Sequence, residues 1–513
     1  MIFNLLEGRG IIPAASWMCK VSGARFGKGS LALLFAVAAL MVDNAIARAA
    51  PDVVDADSGA SPADTMRLNA IAIPLLAEEG APPAFDPAPA RHGTAVFRPA
   101  ISLAESLRHH RTRIRDDMWW TVTGGEMAWT HKNAQQLFPT VNVYRNGPVR
   151  GLPSEPLGAI AEHPVTTPSG AMPFDEFLAS PHSTAMAVVM LHEGRIVFER
   201  YPHMRFYEKP VYWSVAKVMP ATLIGILEDR GEIDVSLPVE VYLPELAASD
   251  FAGISVRDIL DMASGLDCED DYDDRQSCYY RYSMAIGDGF RDANAPDNPY
   301  DFLADLKVSR HANPGEQFSY SGVNTFIAGW LVEKLTGYPF QDVFTREIWW
   351  DLGAEADASF IAYRYGIPLT HGGFMARPRD LARFGLLFTP SHQAADSRKV
   401  ISDRHIEKLR FGSNPALRVY ADGSVEGDAA ASRPSAELPF THSIYQWDYV
   451  HPDGTLYKGG WGGQGLIVNP ARDIVVVFAS YFKDDDYSEV DLGEAIFEVL
   501  NGVYGMGLPL AAP

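Results

Sequence analysis

The chain has 513 residues, 47% hydrophobic and 21% charged, the composition of a globular protein with a large core. A net charge of −22 makes it a poor partner for nucleic acid, and no basic patch with interleaved aromatics offsets that charge. Length alone allows more than one domain.

Lys20, Arg25 and Lys28 precede an uncharged run from Ser30 to Val42, followed by Ala45-Ile46-Ala47 and Ala47-Arg48-Ala49. A basic flank, a short apolar run and a small-x-small site predict a secretory signal peptide over 1–49 and a secreted or periplasmic protein. The run is short for a bilayer span, so membrane insertion is expected only if this segment is retained as an anchor. Met18 is an alternative start. Residues 50–114 are rich in Ala and Pro without a sustained period and predict a flexible tail. Aromatics return at Met118-Trp119-Trp120, which puts the start of the folded body near residue 115. Of three cysteines, Cys19 leaves with the signal, while Cys268 and Cys278 are either a small-loop disulfide or two thiols.

Met186 to Leu191, His192-Glu193-Gly194 and Arg195 to Tyr201 read as a β-hairpin. Tyr212-Trp213-Ser214-Val215-Ala216-Lys217 then opens an apolar helix from Val218 to Leu227, with Gly231 as its C′ residue. Pro220 interrupts that pattern by removing a backbone donor. Between residues 233 and 390 helical signals dominate, at Val256 to Met262, Thr325 to Leu335 and Arg379 to Gly385. Residues 412–440 read as a long surface loop. Leu466 to Val468 and Ile474 to Ala479 form a second hairpin, and a last helix carries Leu492, Ala495, Ile496, Val499 and Leu500 on one face. Strands therefore flank a mostly helical middle, an α+β chain whose sheet is built from both ends.

Ser214 and Lys217 are three apart, so a helix places them on one face, where a lysine amine can reach a serine hydroxyl. A serine needs such a base to become a nucleophile. The bland alternative is an N-cap serine beside a solvated lysine. A second copy, Ser480-Tyr481-Phe482-Lys483, follows a strand, where positions i and i+3 face opposite ways and cannot pair.

Three further segments bear on Ser214. Tyr320, on the turn Pro314 to Gly322, can relay a proton if a nearby cation lowers its pKa; otherwise it is a packed tyrosine. Lys458-Gly459-Gly460-Trp461-Gly462-Gly463 offers backbone that a ligand can approach closely, or is merely a glycine-rich turn. The acidic loop of Asp267, Glu269, Asp270, Asp271, Asp273 and Asp274 around Tyr272 reads as a solvated surface that could also attract a cationic substrate end. It lacks the glycine and terminal glutamate of a calcium loop.

The order of these segments, with Leu260-Asp261-Met262-Ala263-Ser264-Gly265-Leu266, Gly372-Gly373 and Arg379-Asp380-Leu381-Ala382-Arg383, resembles the serine β-lactamase and penicillin-recognising enzyme superfamily on its class C side. Within it, the chain is similar to the 6-aminohexanoate-dimer (nylon-oligomer) hydrolase branch and its esterase relatives, from about residue 120 onward. The resemblance implies a β-lactamase/D,D-peptidase-like fold, an antiparallel sheet flanked by helices with a helical subdomain at about 233–390. It implies Ser214 as the acylated nucleophile, Lys217 as its base and Tyr320 as a proton shuttle. It implies the backbone amides of Ser214 and Trp461 as an oxyanion hole, and Tyr272 and Lys458 as substrate contacts.

Two departures narrow the expected substrate. The second motif of β-lactamases is Tyr-x-Asn, but position 322 is Gly, with Asn324 two residues on. The third motif has Gly459 where a hydroxyl would help bind a β-lactam or peptide carboxylate. A missing polar partner weighs heavily in specificity. The reading is a serine hydrolase of small esters or linear amides; the alternatives are a β-lactamase or D-alanyl-D-alanine carboxypeptidase, and an inactive ligand-binding relative. No Gly-x-Ser-x-Gly, His-Glu-x-x-His, phosphate loop or Cys-x-x-Cys is present, and His109-His110 reads as exposed and basic, so neither metal nor cofactor is expected.

Overall fold

The computed structural model describes residues 122–289, 291–412 and 441–507. The chain divides into two units, residues 1–100 and 101–513, and the described residues belong to the second. The signal peptide, the tail, His109-His110, the expected start of the folded body and the loop over 413–440 lie outside the described residues.

Helix α1 (Gly124–Leu137) leads into the short strand β1 (Thr140–Val143). The first predicted hairpin is present as β2 (Ala187–His192) and β3 (Arg195–Arg200). Glu193 and Gly194 close it with φ of 51° and 72°, the two positive values that a tight hairpin turn needs. Helix α2 (Val218–Asp229) ends at Arg230 and Gly231, the latter with φ 73°, as the C′ glycine predicts. Helix α3 (Gly322–Thr336) ends at Gly337, φ 76°. Two strands follow within the helical middle, β4 (Ala358–Ile361) and β5 (Phe374–Met375), and then α4 (Pro378–Leu386). The last third supplies β6 (His442–Ile444), β7 (Trp447–Val450), β8 (Leu456–Gly460), β9 (Gln464–Asn469), β10 (Ile474–Ala479) and helix α5 (Leu492–Tyr504).

Seven strands pair antiparallel in the order β3-β2-β10-β9-β8-β7-β6, so both ends of the chain build one sheet. The runs Ala187 to Leu191 in β2 and Ile474 to Ala479 in β10 are apolar without a break because both faces are covered. Val189, Leu191, Leu466, Val468, Val475 and Val477 face one core with α2, α3 and α4. Val188, Met190, Ile467, Val476 and Phe478 face a second core with Ile496, Phe497 and Leu500 of α5. The period of two sorts neighbours to opposite layers.

The sheet tolerates little extra volume. Gly465 on β9 lies under the Phe478 ring, where an added Cβ would come within 2.1 Å of Cζ. Gly465→Ala is therefore expected to lower stability by about 1–3 kcal/mol, measured as a lower denaturant midpoint at unchanged slope.

A second, three-stranded sheet, β1-β4-β5, is not legible in the sequence: strands of two to four residues carry no period. It matters because β5 holds the segment before Ser214. Tyr212 N–H donates to Phe374 O at 2.9 Å, and Val211 bridges to Met375.

The candidate active site

Trp213–Lys217 is a 3-10 helix, and the α-helix begins only at Val218. This corrects the reading of one continuous α-helix, and it sharpens the geometry. At three residues per turn, Ser214 and Lys217 are eclipsed along one edge. Pro220 also finds its reason: it lies in the first turn of α2, where a missing N–H costs no α-helical bond.

The residue before the serine is strained. Trp213 has φ 44°, a left-handed conformation costing a non-glycine residue about 1–3 kcal/mol. Its indole Nε1–H donates to Nε2 of the buried His131 on α1 at 3.0 Å, and Val211 N–H donates to His131 O at 2.9 Å. Helix α1 and strand β5 thus hold the segment that leads into Ser214, a half-buried residue between buried neighbours.

Lys217 is 1% exposed. Its Nζ donates to His371 O at 3.0 Å, lies 3.7 Å from Asp270 Oδ2, and sits 4.9 Å from the centre of the Tyr320 ring. Burial lowers its pKa to about 8, and Lys458 adds to the fall, while Asp270 and Asp448 oppose it. An amine near 8 is a competent base close to neutral pH.

Tyr320 reaches the site from the turn before α3, with the Ser214 side chain beside its hydroxyl. Lys458 Nζ donates to Tyr320 Oη at 2.9 Å. Two ammonium groups flank the phenol, yet its pKa stands well above the ordinary value, chiefly through burial and then through Asp448 and Asp270. The sequence-based condition for proton relay, a pKa lowered by a cation, is therefore not met. At neutral pH the phenol is protonated, and Lys217 is the group poised to take a proton.

The glycine-rich segment arrives at the end of β8. A Cβ at Gly460 would lie 2.4 Å from Tyr212 O and 3.3 Å from Ser214 N, so only glycine lets this strand run against the nucleophile's backbone. Trp461 follows directly, which brings its backbone to the side of the site where the Ser214 amide lies. Its ring packs edge-on against Phe482 at 5.0 Å.

Asp270 is the residue that sequence reasoning missed. The acidic loop read as solvated surface, and Asp273 and Asp274 are exposed. The Asp270 side chain is 12% exposed and turns inward between Lys217 and the amide of Gly322, which donates to Oδ1 at 2.5 Å. It stands where the second motif lacks its polar side chain. Asn324 does not fill that role, since it is buried on α3 with its Nδ2 toward Met262 Sδ at 3.9 Å. Cys268 and Cys278 are joined as a disulfide that clasps the loop carrying Asp270 and Tyr272. Tyr272 Oη is hydrogen-bonded to Tyr279 Oη at 2.6 Å, and Tyr272 neighbours Tyr320 and Asp270.

Lys458, expected at the substrate, is instead fully buried and committed to Tyr320 and to Asp448 on β7. The second Ser-x-x-Lys copy plays no part: Ser480 Oγ bonds Thr184 Oγ1 at 2.8 Å, and Lys483 Nζ reaches Pro181 O at 3.3 Å.

Asp270 predicts a pH effect. Its carboxylate favours the charged form of Lys217, so Asp270→Asn is expected to lower the lysine's pKa further and move the acid limb of kcat/KM to lower pH. An unmoved limb in a folded variant would contradict the coupling.

The chain is similar to known proteins in sequence and in fold. The sequence is 28% identical over 401 residues to a 6-aminohexanoate-dimer hydrolase of Paenarthrobacter ureafaciens, covering 78% of this chain and 92% of that one. It is 28% identical over 143 residues to the esterase/beta-lactamase LipL of Mycobacterium tuberculosis, covering 27% of this chain and 28% of that one. A solved structure from Bacillus anthracis, provisionally named a 6-aminohexanoate-dimer hydrolase, superposes with a TM-score of 0.60 at 21% identity, covering 74% of this chain and 93% of its own, which shows the shared fold. Residues 174–500, more than half of the sequence, match the Beta-lactamase family, and the chain belongs to that family.

Proposed function

We propose that the protein is a serine hydrolase that cleaves a small ester or a linear amide through an acyl-enzyme. The observation that carries this reading is the buried Lys217, with a pKa lowered to about 8, one eclipsed turn below Ser214. Ser214 Oγ attacks the substrate carbonyl, and Lys217 takes its proton. The proton that Lys217 has taken then reaches the leaving group by way of Tyr320, whose phenol gives up one proton as it receives another and so stays neutral, as its raised pKa requires, while the carbonyl reforms. The amides of Ser214 and Trp461 hold the oxyanion, at about 3–4 kcal/mol per donor in well-measured cases. Water, giving a proton to Lys217, then attacks the acyl-enzyme; the ester bond to Ser214 breaks, the lysine returns the proton to the serine oxygen, and the acid is released. Tyr272, a neighbour of Tyr320, is the residue that contacts the substrate.

The disulfide supports a role in an oxidising compartment, in line with export of the chain. A β-lactamase or carboxypeptidase is the weaker reading, because Gly322 and Gly459 leave out polar groups such substrates need.

A panel of an activated ester, a linear amide and nitrocefin, each with Ser214→Ala as control, tests the proposal. Turnover of the ester or amide is expected at least about 100-fold faster than that of nitrocefin. Rapid nitrocefin hydrolysis would shift the assignment to a β-lactamase, and the absence of any product burst would favour an inactive relative.

A further inference from the structure

We propose that Asp448 is a specificity-determining residue: by closing Lys458 into an ion pair, it turns the site away from acyl groups that carry a carboxylate. This rests on the serine hydrolase reading above.

Strands β7 and β8 pair antiparallel with Leu456 opposite Val450 and Tyr457 opposite Tyr449, so Lys458 falls opposite Asp448 on the same face. Lys458 Nζ is hydrogen-bonded to Asp448 Oδ1, and Asp448 Oδ2 accepts the Gly459 amide at 2.9 Å. Both carboxylate oxygens are therefore occupied by groups of the glycine-rich strand. The second hydrogen bond of Lys458 Nζ goes to Tyr320 Oη at 2.9 Å, and the side chain has no exposed surface.

The charges around the nucleophile then cancel in pairs. Lys217 faces Asp270, and Lys458 faces Asp448. A lone buried ammonium beside a reacting serine would draw anionic groups strongly, because little water screens it. With its counter-ion built into the next strand, the same lysine serves to hold Tyr320. A substrate carboxylate arriving here would compete with Asp448 and would have to desolvate against a site of no net charge.

The test compares p-nitrophenyl pentanoate with mono-p-nitrophenyl adipate, the same acyl chain bearing a terminal carboxylate. Wild-type hydrolysis of the pentanoate, lost in Ser214→Ala, first establishes the underlying activity. Failure at that step rejects the hydrolase reading and, with it, the specificity role that rests on it. Asp448→Asn and Asp448→Ser are then assayed, the serine leaving room for water at the Gly459 amide. The kcat/KM ratio of adipate to pentanoate is expected to rise about tenfold or more, about 1.4 kcal/mol, with pentanoate turnover retained. An unchanged ratio in an active variant overturns the proposal. Loss of pentanoate turnover or of the fold in both variants overturns it as well, since the pair would then serve the reaction or the stability of the sheet.

Discussion

Ser214→Ala is expected to abolish turnover, by about 10⁴-fold or more in kcat, and to eliminate covalent labelling by a fluorophosphonate probe. The loss is that large because no second hydroxyl can replace it. Ser480, just past the end of β10, is bonded to Thr184, and the Tyr320 phenol is held protonated by burial. The variant should fold normally, since Ser214 is only half-buried and Trp213 keeps its bond to His131. Residual catalysis from the oxyanion amides and from binding is expected to remain above the rate in water. Undiminished labelling in a folded Ser214→Ala protein would sink the assignment.

Lys217→Met is the second large effect, a loss of about 10²–10⁴-fold in kcat. Methionine matches the volume and apolar stem of lysine, so the cavity stays filled while the base is gone. In the wild type, activity should rise as pH increases through about 8, where Lys217 loses its proton, and this limb should vanish in the variant. Stability carries the same signature. The folded value lies below the lysine model value of 10.5, so between about 8 and 10.5 the unfolded chain holds a proton that the folded chain has released. This group's contribution to stability therefore rises with pH across that window. Lys217→Met should flatten that rise in denaturant titrations at several pH values. An unaltered pH–rate limb in the variant would assign the proton transfer to another group.

Much of the fold was legible because it is written in local patterns. The β2–β3 hairpin followed from two apolar runs around Glu193-Gly194, and α3 from an apolar stretch closed by Gly337. The small sheet β1-β4-β5 was not, since its strands are too short for a period and meet only through long-range pairing. The 3-10 geometry at Trp213–Lys217 was also hidden, because the local pattern suits either helix and the packing of Trp213 on His131 decides between them.

The sequence by itself put forward Ser214 as the candidate nucleophile and set the order of the motifs around it. Ser214 and Lys217 lie within one helical turn, so local backbone geometry sets them side by side, whereas Tyr320 and the Lys458-to-Gly463 segment are brought to them by the fold. Only the tertiary structure decided the charges at those positions. Asp270 was one of six acidic residues in a polar loop, and Asp448 an unremarked residue in a strand. Each becomes a counter-ion because the fold removes it from water and sets it beside a buried lysine. A charge state depends on burial and on neighbours far off in the chain; Lys458 and Tyr320, 138 positions apart, share a hydrogen bond that no spacing in the sequence encodes.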